Sequence, residues 1–251
     1  MENPSRTIAF DALFNFRDLG GYPGLDGRTT RWRRVFRSDS LHGIADADAA
    51  AWAELGVKTV IDLRRTFEVT KFGRVPEAAG LDYRHTPIRH LDWGRVDYPE
   101  DTHHPRWLAD RYLNFAEEGA DGLATTLSLL ADPDRAPAVV HCMAGKDRTG
   151  VVCALTLALV GVADDVIAED YALSTAAMTA LTEHLAKADP TPVTPRYFEC
   201  PADAMQLFLD DLRTKHGSVE GYVRDIGVTE EQVAALRSHL LTADGEPAAR
   251  R

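Results

Sequence analysis

The sequence is poor in cysteine, in long apolar runs and in basic charge. It has only three cysteines, Cys142, Cys153 and Cys200. A small, odd number of cysteines does not fit a disulfide framework, so it favours a reducing compartment. Lys and Arg number 28 against 39 Asp and Glu, and the resulting net charge of −11 argues against nucleic acid as a partner. Such a protein still has room for a local positive pocket that binds a small phosphorylated ligand.

No segment has the pattern of a secretory leader or of a membrane span. The first twenty residues lack the apolar core of a Sec-type signal peptide. The longest apolar run, residues 151–162, is too short to cross a bilayer and fits a buried helix. We therefore expect no integral membrane segment, and a protein that is either cytoplasmic or exported without a Sec-type signal.

What remains is the composition of a folded globular domain, 45% hydrophobic and 27% charged over 251 residues. Short apolar and β-branched runs predict strands at residues 34–37, 57–63, 81–88 and 137–141. Caps and helical spacing of apolar residues predict helices at residues 46–55, 105–132, 150–160, 164–173, 175–187, 202–216 and 229–241. We predict an α/β fold, a short central sheet flanked by helices, in a single domain over residues 1–242. A proline-rich loop at 189–201 and a flexible tail at 243–251 complete the prediction.

The most informative segment is residues 139–150, VVHCMAGKDRTG, in which a strand ends, a loop follows and an apolar helix begins. A loop of this kind turns backbone N–H groups inward, and the helix N-terminus adds its positive end. Together they form a cradle for a tetrahedral dianion, and a glycine without a Cβ permits the tight path. The predicted phosphate-binding residues are Met143, Ala144, Gly145, Lys146, Asp147 and Arg148.

Cys142 and Arg148 supply the chemistry that such a cradle allows. Arg148, six residues after Cys142, would bind two oxygens of the dianion through its planar fork. The positive field favours the Cys142 thiolate, which is the nucleophilic form of a cysteine. This thiolate would attack phosphorus in line and form a thiophosphate that water later hydrolyses. The reaction requires no metal and no cofactor.

The spacing of cysteine and arginine is a weak signal by itself. Cys153 and Cys200 lack an arginine six residues later, whereas Cys142 has Arg148. The context strengthens the pattern, because a strand precedes it, a glycine lies inside it, and Thr-Gly and an apolar helix follow it. The alternative is that Cys142 is only a buried structural thiol.

Residues 141–150, HCMAGKDRTG, resemble the phosphate-binding loop of bacterial tyrosine phosphatases with the form HCxxGKDRTG, some of which also act on phosphoinositides. The likeness continues in shorter blocks at residues 15–21, 37–39, 61–64 and 170–171, so it extends over most of the chain. It implies a cysteine-phosphatase-like fold with Cys142 as nucleophile and Arg148 as phosphate clamp. It also implies C-terminal helices that form a lid, a phosphotyrosine protein or phosphoinositide as substrate, and phosphate as product.

Two carboxylates compete for the role of general acid. The resemblance implies catalytic roles for Lys146 and Asp147, and Asp147 lies beside the expected position of the leaving oxygen. Asp62, at the end of a predicted strand, is the rival acid, unless it forms a structural pair with an arginine. Lys146 either adds a second cation for a multiply phosphorylated head group or is a solvated loop residue.

Four further residues are candidates for supporting roles. Thr149 either donates its hydroxyl to the thiolate or caps the helix. His141 is expected to form a hydrogen bond at the base of the loop and not to act directly. The resemblance places Arg17 and Asp18 against the loop as support, whereas the alternative is a surface ion pair that contributes little.

Other functions share parts of this pattern. A phosphoinositide or dual-specificity phosphatase would use the same chemistry in a broader pocket. A rhodanese-type sulfurtransferase carries a persulfide on the corresponding cysteine, but Lys146 and Asp147 favour a phosphatase because its leaving group needs a proton donor. A phosphate-binding pseudoenzyme is disfavoured, since Cys142, Arg148 and Asp147 are all present.

Overall fold

The computed structural model describes residues 6–93, 96–99, 101–188 and 198–243. One five-stranded sheet lies at the centre of this part of the chain. Its strands are β1 (Arg17–Asp18), β2 (Val35–Ser38), β3 (Thr59–Asp62), β4 (Asp82–His85) and β5 (Ala138–His141). The described helices are α1 (Ala49–Leu55), α2 (Thr66–Phe72), α3 (His104–Glu118), α4 (Ala120–Ala131), α5 (Asp147–Leu159), α6 (Asp164–Ala172), α7 (Ser174–Ala188), α8 (Ala202–His216), α9 (Val219–Asp225) and α10 (Glu230–Leu240).

The strand order is β1-β2-β5-β3-β4, and only the edge strand β1 is antiparallel to its neighbour. The other four strands are parallel, so their carboxyl ends meet at one edge of the sheet. The register brings Ser38, His141, Asp62 and His85 side by side at that edge. The segments that follow β2, β3 and β5 therefore converge on one place, where open parallel sheets commonly hold their ligands.

Successive strand residues alternate between two apolar clusters, one on each face of the sheet. Ile61 and Val140 point into the larger cluster, which is built with α3, α4, α5, α6 and α8. Val60 and Val139 point into the smaller one, which includes Phe16 of the N-terminal segment. Both faces of the central strand β5 are thus covered, and none of its residues is exposed. Burial on both faces explains the continuous apolar sequence of this strand.

The predicted α/β fold with a short central sheet flanked by helices is confirmed. The predicted helix start at residue 150 is wrong, because α5 already begins at Asp147. Two helices were missed, α2 and α9, each only seven residues long. Phe67 and Phe72 of α2 are exposed, so this helix lacks the apolar stripe that predicts one.

Some expectations fall partly outside the described residues, namely most of the predicted loop at 189–201 and of the tail at 243–251. A single domain over residues 1–242 stays a prediction. Among the helices described, none is both long and apolar enough to span a bilayer.

Candidate active site

The segment between β5 and α5 consists of residues 142–146, at the edge where the parallel strands end. Gly145 has a φ of +66°, which L side chains rarely adopt. A Cβ at this position would lie 2.5 Å from the Ser38 carbonyl oxygen. Only glycine therefore fits where the loop passes the end of β2, and the sequence explains the tight path of the loop.

Three consecutive carbonyl groups of this loop point away from its centre, and each accepts a hydrogen bond from outside the loop. Met143 O accepts from the Ser40 amide at 2.9 Å. Ala144 O accepts from Asn15 Nδ2 at 2.9 Å, and Gly145 O accepts from Arg37 Nη2 at 2.7 Å. Because C=O and N–H of one planar peptide unit point in opposite directions, the N–H groups that follow face inward. This geometry makes an anion-binding concavity.

Cys142 is the first residue after β5 and is only 2% exposed. Its thiol forms no disulfide, and the same holds for Cys153 and Cys200. Cys142 is the first residue of the loop that joins the central strand β5 to the N-terminus of α5. A charge on Cys142 is among the groups that raise the pKa of Arg148, so the thiol and the guanidinium are close enough to interact.

Arg148 is the second residue of α5 and is held by Glu68 of α2. Nη1 donates to Oε2 at 2.6 Å and Nη2 donates to Oε1 at 2.9 Å, an end-on bidentate pair. Burial alone would lower the pKa of Arg148, but the bonds to Glu68 and the charge of Cys142 outweigh it and raise this pKa. Burial likewise would raise the pKa of Glu68, yet the hydrogen bond from Arg148 lowers it, so the pair is ionised. Two of the five N–H groups of Arg148 are used on Glu68, so the Nε–H group and the second proton on each Nη are left to bind a ligand.

A buried network supports the outward carbonyl groups. Asp170 of α6 accepts from Arg37 at 2.6 Å, from Arg17 Nε at 3.0 Å and from the Tyr22 hydroxyl at 2.9 Å. Arg37 in turn donates to Gly145 O. Burial would raise the pKa of Asp170, but the charges of Arg17 and Arg37 outweigh it and lower this pKa strongly. The carboxylate is therefore the ionised centre of a support for the loop.

Arg17 supports the loop along a second route. It donates to Asn15 Oδ1, while Asn15 Nδ2 donates to Ala144 O. Its side chain is 3% exposed, so the alternative of a surface ion pair is wrong. Asp18 does not contact the loop, and its expected position there is also wrong. Its carboxylate accepts from the Gly20 and Arg33 amides, and burial raises its pKa to about 6.

Asp147 is the first residue of α5, and its side chain is 22% exposed. Its Oδ1 accepts a hydrogen bond from the Tyr112 hydroxyl at 2.8 Å and lies 3.6 Å from Lys146 Nζ. The Lys146 side chain is only 2% exposed, so the alternative of a solvated loop lysine is wrong. The structure thus places a buried cation and a partly exposed carboxylate side by side at the loop.

Asp62 is fully buried at the end of β3 and bound by Arg64, which donates through Nη2 at 2.6 Å and Nε at 2.9 Å. The Tyr83 hydroxyl adds a hydrogen bond at 2.8 Å. Burial would raise the pKa of Asp62, but the bonds from Arg64 lower it to about 2. A carboxylate held ionised in this way is poorly suited to donate a proton at neutral pH.

His141 and Thr149 flank the loop in the interior. His141 Nδ1 lies 3.2 Å from the Cys142 carbonyl oxygen, as expected for a residue at the loop base, and burial lowers its pKa to about 4. Thr149 is the third residue of α5, whose cap is Lys146, so the capping alternative for Thr149 is wrong. Its hydroxyl is buried and has no hydrogen-bond partner within the described residues.

The predicted lid helices begin next to the loop support. The Ser174 hydroxyl, at the start of α7, accepts from Arg17 Nη2 at 3.1 Å. Further along α7 the His184 ring lies 5.1 Å from that of Phe14. The lid itself stays a prediction, because residues 189–197 lie outside the description.

Several residues of this arrangement were missed from the sequence as functional candidates. Arg37 and Asp170 lie inside the short blocks that carry the family resemblance. The resemblance could therefore have identified both residues as candidates. Glu68 and Tyr112 lie in no motif, and only the packing of α2 and α3 against the loop brings them to it.

A model of the tyrosine phosphatase family matches residues 8–242 of this chain. The triple specificity protein phosphatase PtpB of Mycobacterium tuberculosis is 29% identical over an alignment of 274 positions, gaps included. The alignment covers 91% of this chain and 96% of that protein. The putative tyrosine-protein phosphatase H16_A0669 of Cupriavidus necator is 29% identical, with 93% of this chain and 88% of that protein covered. Among solved structures, the core catalytic domain of the PP-IP phosphatase SIW14 from S. cerevisiae covers 83% of this chain and 93% of its own, with a TM-score of 0.41 at 16% identity.

Proposed function

This chain belongs to the tyrosine phosphatase family and is a protein-tyrosine phosphatase, and we propose that it forms its covalent intermediate on Cys142. The observation that carries this proposal is a loop that begins at a buried cysteine and in which three successive carbonyl groups point outward. The inward N–H groups, the positive end of α5 and the free N–H groups of Arg148 would surround a phosphate dianion.

In the first half of the proposed reaction, Cys142 Sγ attacks phosphorus and the bond between phosphorus and the leaving oxygen breaks. The leaving oxygen takes a proton from Asp147, and the phosphoryl group is left on sulfur. Amide groups and Arg148 stabilise the equatorial oxygens during the transfer, and they are already in place before the reaction. Glu68 fixes the orientation of Arg148 through two hydrogen bonds. The other N–H groups of Arg148 are left to bind the phosphate oxygens.

In the second half, a water molecule attacks the phosphorus of the thiophosphate. Asp147, now a carboxylate, takes a proton from that water, and the electron pair of the S–P bond returns to Cys142. Inorganic phosphate then leaves. Each half thus uses Asp147 in one protonation state and regenerates the other, as general acid–base catalysis requires.

We assign the acid role to Asp147 and not to Asp62 on the basis of their surroundings. Asp147 follows the loop directly and keeps partial access to solvent. Asp62 has no exposure and is bound by Arg64 and Tyr83, so its proton would be lost well below neutral pH. Asp62 instead fixes the segment that leads from β3 into α2, which carries Glu68.

The substrate class that we propose is phosphotyrosine in proteins, with phosphoinositides as the second candidate. The buried Lys146 beside the loop favours this second candidate, because it adds a cation for a second phosphate group. One relative, PtpB, is named for triple specificity. Initial rates on phosphotyrosine peptides, phosphoserine peptides and short-chain phosphoinositides would decide between the two substrate classes. Faster turnover of phosphoserine peptides than of both other substrates would contradict the proposal.

The match to tyrosine phosphatases gives no support to a sulfurtransferase.

The nucleophile is tested by Cys142→Ser. We expect no measurable hydrolysis of p-nitrophenyl phosphate, because a hydroxyl in this position is a far weaker nucleophile, while vanadate or phosphate still binds. Cys153→Ala is the control, since Cys153 is a buried thiol of α5 outside the loop, and it should retain most of the activity. Substantial turnover by folded Cys142→Ser would contradict the assignment.

A further inference from the structure

Tyr112 lies beside the proposed general acid, although no sequence motif singles it out. It is in the middle of α3, and its side chain is completely buried. Its hydroxyl donates a hydrogen bond of 2.8 Å to Oδ1 of Asp147. The contact joins α3 to the first residue of α5, so the orientation of Asp147 depends on a helix 35 positions earlier in the sequence.

The direction of the hydrogen bonds around Tyr112 follows from the protons available. A tyrosine hydroxyl has one proton, and that of Tyr112 is used on the carboxylate. The contact between the hydroxyls of Tyr112 and Tyr171 therefore requires Tyr171 to be the donor. Burial raises the pKa of both tyrosines well above the ordinary value, so both keep their protons at neutral pH.

The two carboxylate oxygens of Asp147 consequently differ. Oδ1 faces the Tyr112 hydroxyl and lies 3.6 Å from Lys146 Nζ. Oδ2 accepts no hydrogen bond from any residue that the structure describes. A proton on this carboxyl group therefore resides on Oδ2, because Oδ1 is already committed as an acceptor.

We propose that Tyr112 is a positioning residue for proton transfer, which fixes Oδ1 of Asp147 and presents Oδ2 to the leaving group. The inference rests on the proposed role of Asp147 as general acid. When the P–O bond breaks, its electron pair goes to the leaving oxygen, which takes the Oδ2 proton. The charge left on the carboxylate is then stabilised by the Tyr112 hydroxyl and by Lys146. In the second half, water returns a proton to Oδ2.

The test compares two aryl phosphates, because only a poor leaving group depends strongly on the acid. Tyr112→Phe keeps the ring and removes the hydroxyl. We expect kcat/KM for phenyl phosphate, which reports the step in which the leaving group departs, to fall about tenfold or more, the size expected for a lost hydrogen bond to a charged group. We expect kcat/KM for p-nitrophenyl phosphate to fall by less than about threefold, because its leaving group needs little help from the acid.

Tyr222→Phe is the matched control. Tyr222 is 2% exposed, and its hydroxyl donates to Ala116 O at 2.8 Å, so the variant also loses one buried hydrogen bond. It should change the rates on the two substrates by the same factor.

Tyr171→Phe is a second test variant, since it removes the donor to Tyr112 and leaves the bond to Asp147 in place. We expect it to lower the rate on phenyl phosphate selectively, by a smaller factor than Tyr112→Phe.

Asp147→Asn separates the failure of this inference from the failure of the proposed function. If Asp147 is the acid, Asp147→Asn slows phenyl phosphate more than p-nitrophenyl phosphate, and adding Tyr112→Phe changes the ratio no further. Equal losses in Asp147→Asn would overturn the acid assignment itself. A selective loss in Asp147→Asn together with equal losses in Tyr112→Phe would overturn the role of Tyr112 alone.

Discussion

At the scale of single residues, each charged group near the loop has a specific partner. Arg148 is paired with Glu68, Lys146 with Asp147, and Arg37 with Asp170. The sequence identified the cations of the loop through the motif around Cys142. It did not identify Glu68 as the partner of Arg148, nor the pair of Arg37 and Asp170, because a pairing between residues about 80 or 130 positions apart leaves no local pattern.

Glu68→Gln tests the first of these pairs. The amide keeps the shape of the side chain but offers Arg148 one acceptor in place of two, and it removes the charge. We expect kcat/KM for p-nitrophenyl phosphate to fall about tenfold or more, since a charge-assisted hydrogen bond is worth about 1.5–3 kcal/mol. Glu77→Gln is the control, because Glu77 pairs with Arg74 at the surface and is 84% exposed. Equal activity of both variants would show that Arg148 is positioned without Glu68.

At the scale of secondary-structure elements, the turn from β5 into α5 determines the geometry of the site. The central strands β3 and β5 were predictable because most of their residues are apolar or β-branched and all of them are buried. The start of α5 was not predictable, because Asp147, Arg148 and Thr149 are polar and continue no apolar pattern. The helix begins there because its first turn faces the loop and the buried network.

Gly145→Ala tests whether the loop path is essential. The substitution adds backbone strain at a φ of +66° and a Cβ 2.5 Å from the Ser38 carbonyl oxygen. Gly27→Ala is the matched control, because Gly27 has a φ of +72° but nothing within 4 Å of the added Cβ. We expect Gly27→Ala to cost about 1–2 kcal/mol of unfolding free energy and to keep full activity.

For Gly145→Ala we expect a larger loss of unfolding free energy and at least a hundredfold loss of kcat/KM, since the amide groups move from their positions around the phosphate. Urea unfolding and steady-state kinetics measure both effects. Near-normal activity of Gly145→Ala would mean that the loop does not need this path.

At the scale of the whole molecule, the loop depends on segments that lie far apart in the sequence, near the N-terminus and after α5. Asp170 is bound by Arg17, Tyr22 and Arg37, and Arg17 also contacts Ser174. The N-terminal strands, the loop and the helices after α5 thus share one buried network. The acidic net charge of −11 is a property of the whole surface and does not prevent a local concentration of buried cations at the loop.

Asp170→Asn tests this long-range support. Two buried guanidinium groups would lose their shared carboxylate, so we expect the unfolding free energy to fall by about 3–5 kcal/mol and phosphate binding to weaken. Asp164→Asn is the control, because Asp164 pairs with Arg213 in a partly exposed position and should cost about 1 kcal/mol or less. Chemical unfolding with and without phosphate measures both effects, and similar losses in the two variants would contradict a central role for Asp170.

The central claim is that the phosphoryl group passes through the sulfur of Cys142. Rapid denaturation of the wild-type enzyme during turnover of p-nitrophenyl phosphate, followed by peptide mass spectrometry, tests it directly. We predict one added phosphoryl group on the peptide that contains Cys142, and none in Cys142→Ser. Phosphoryl groups on any other residue, or continued turnover with no modified Cys142 peptide, would contradict the account.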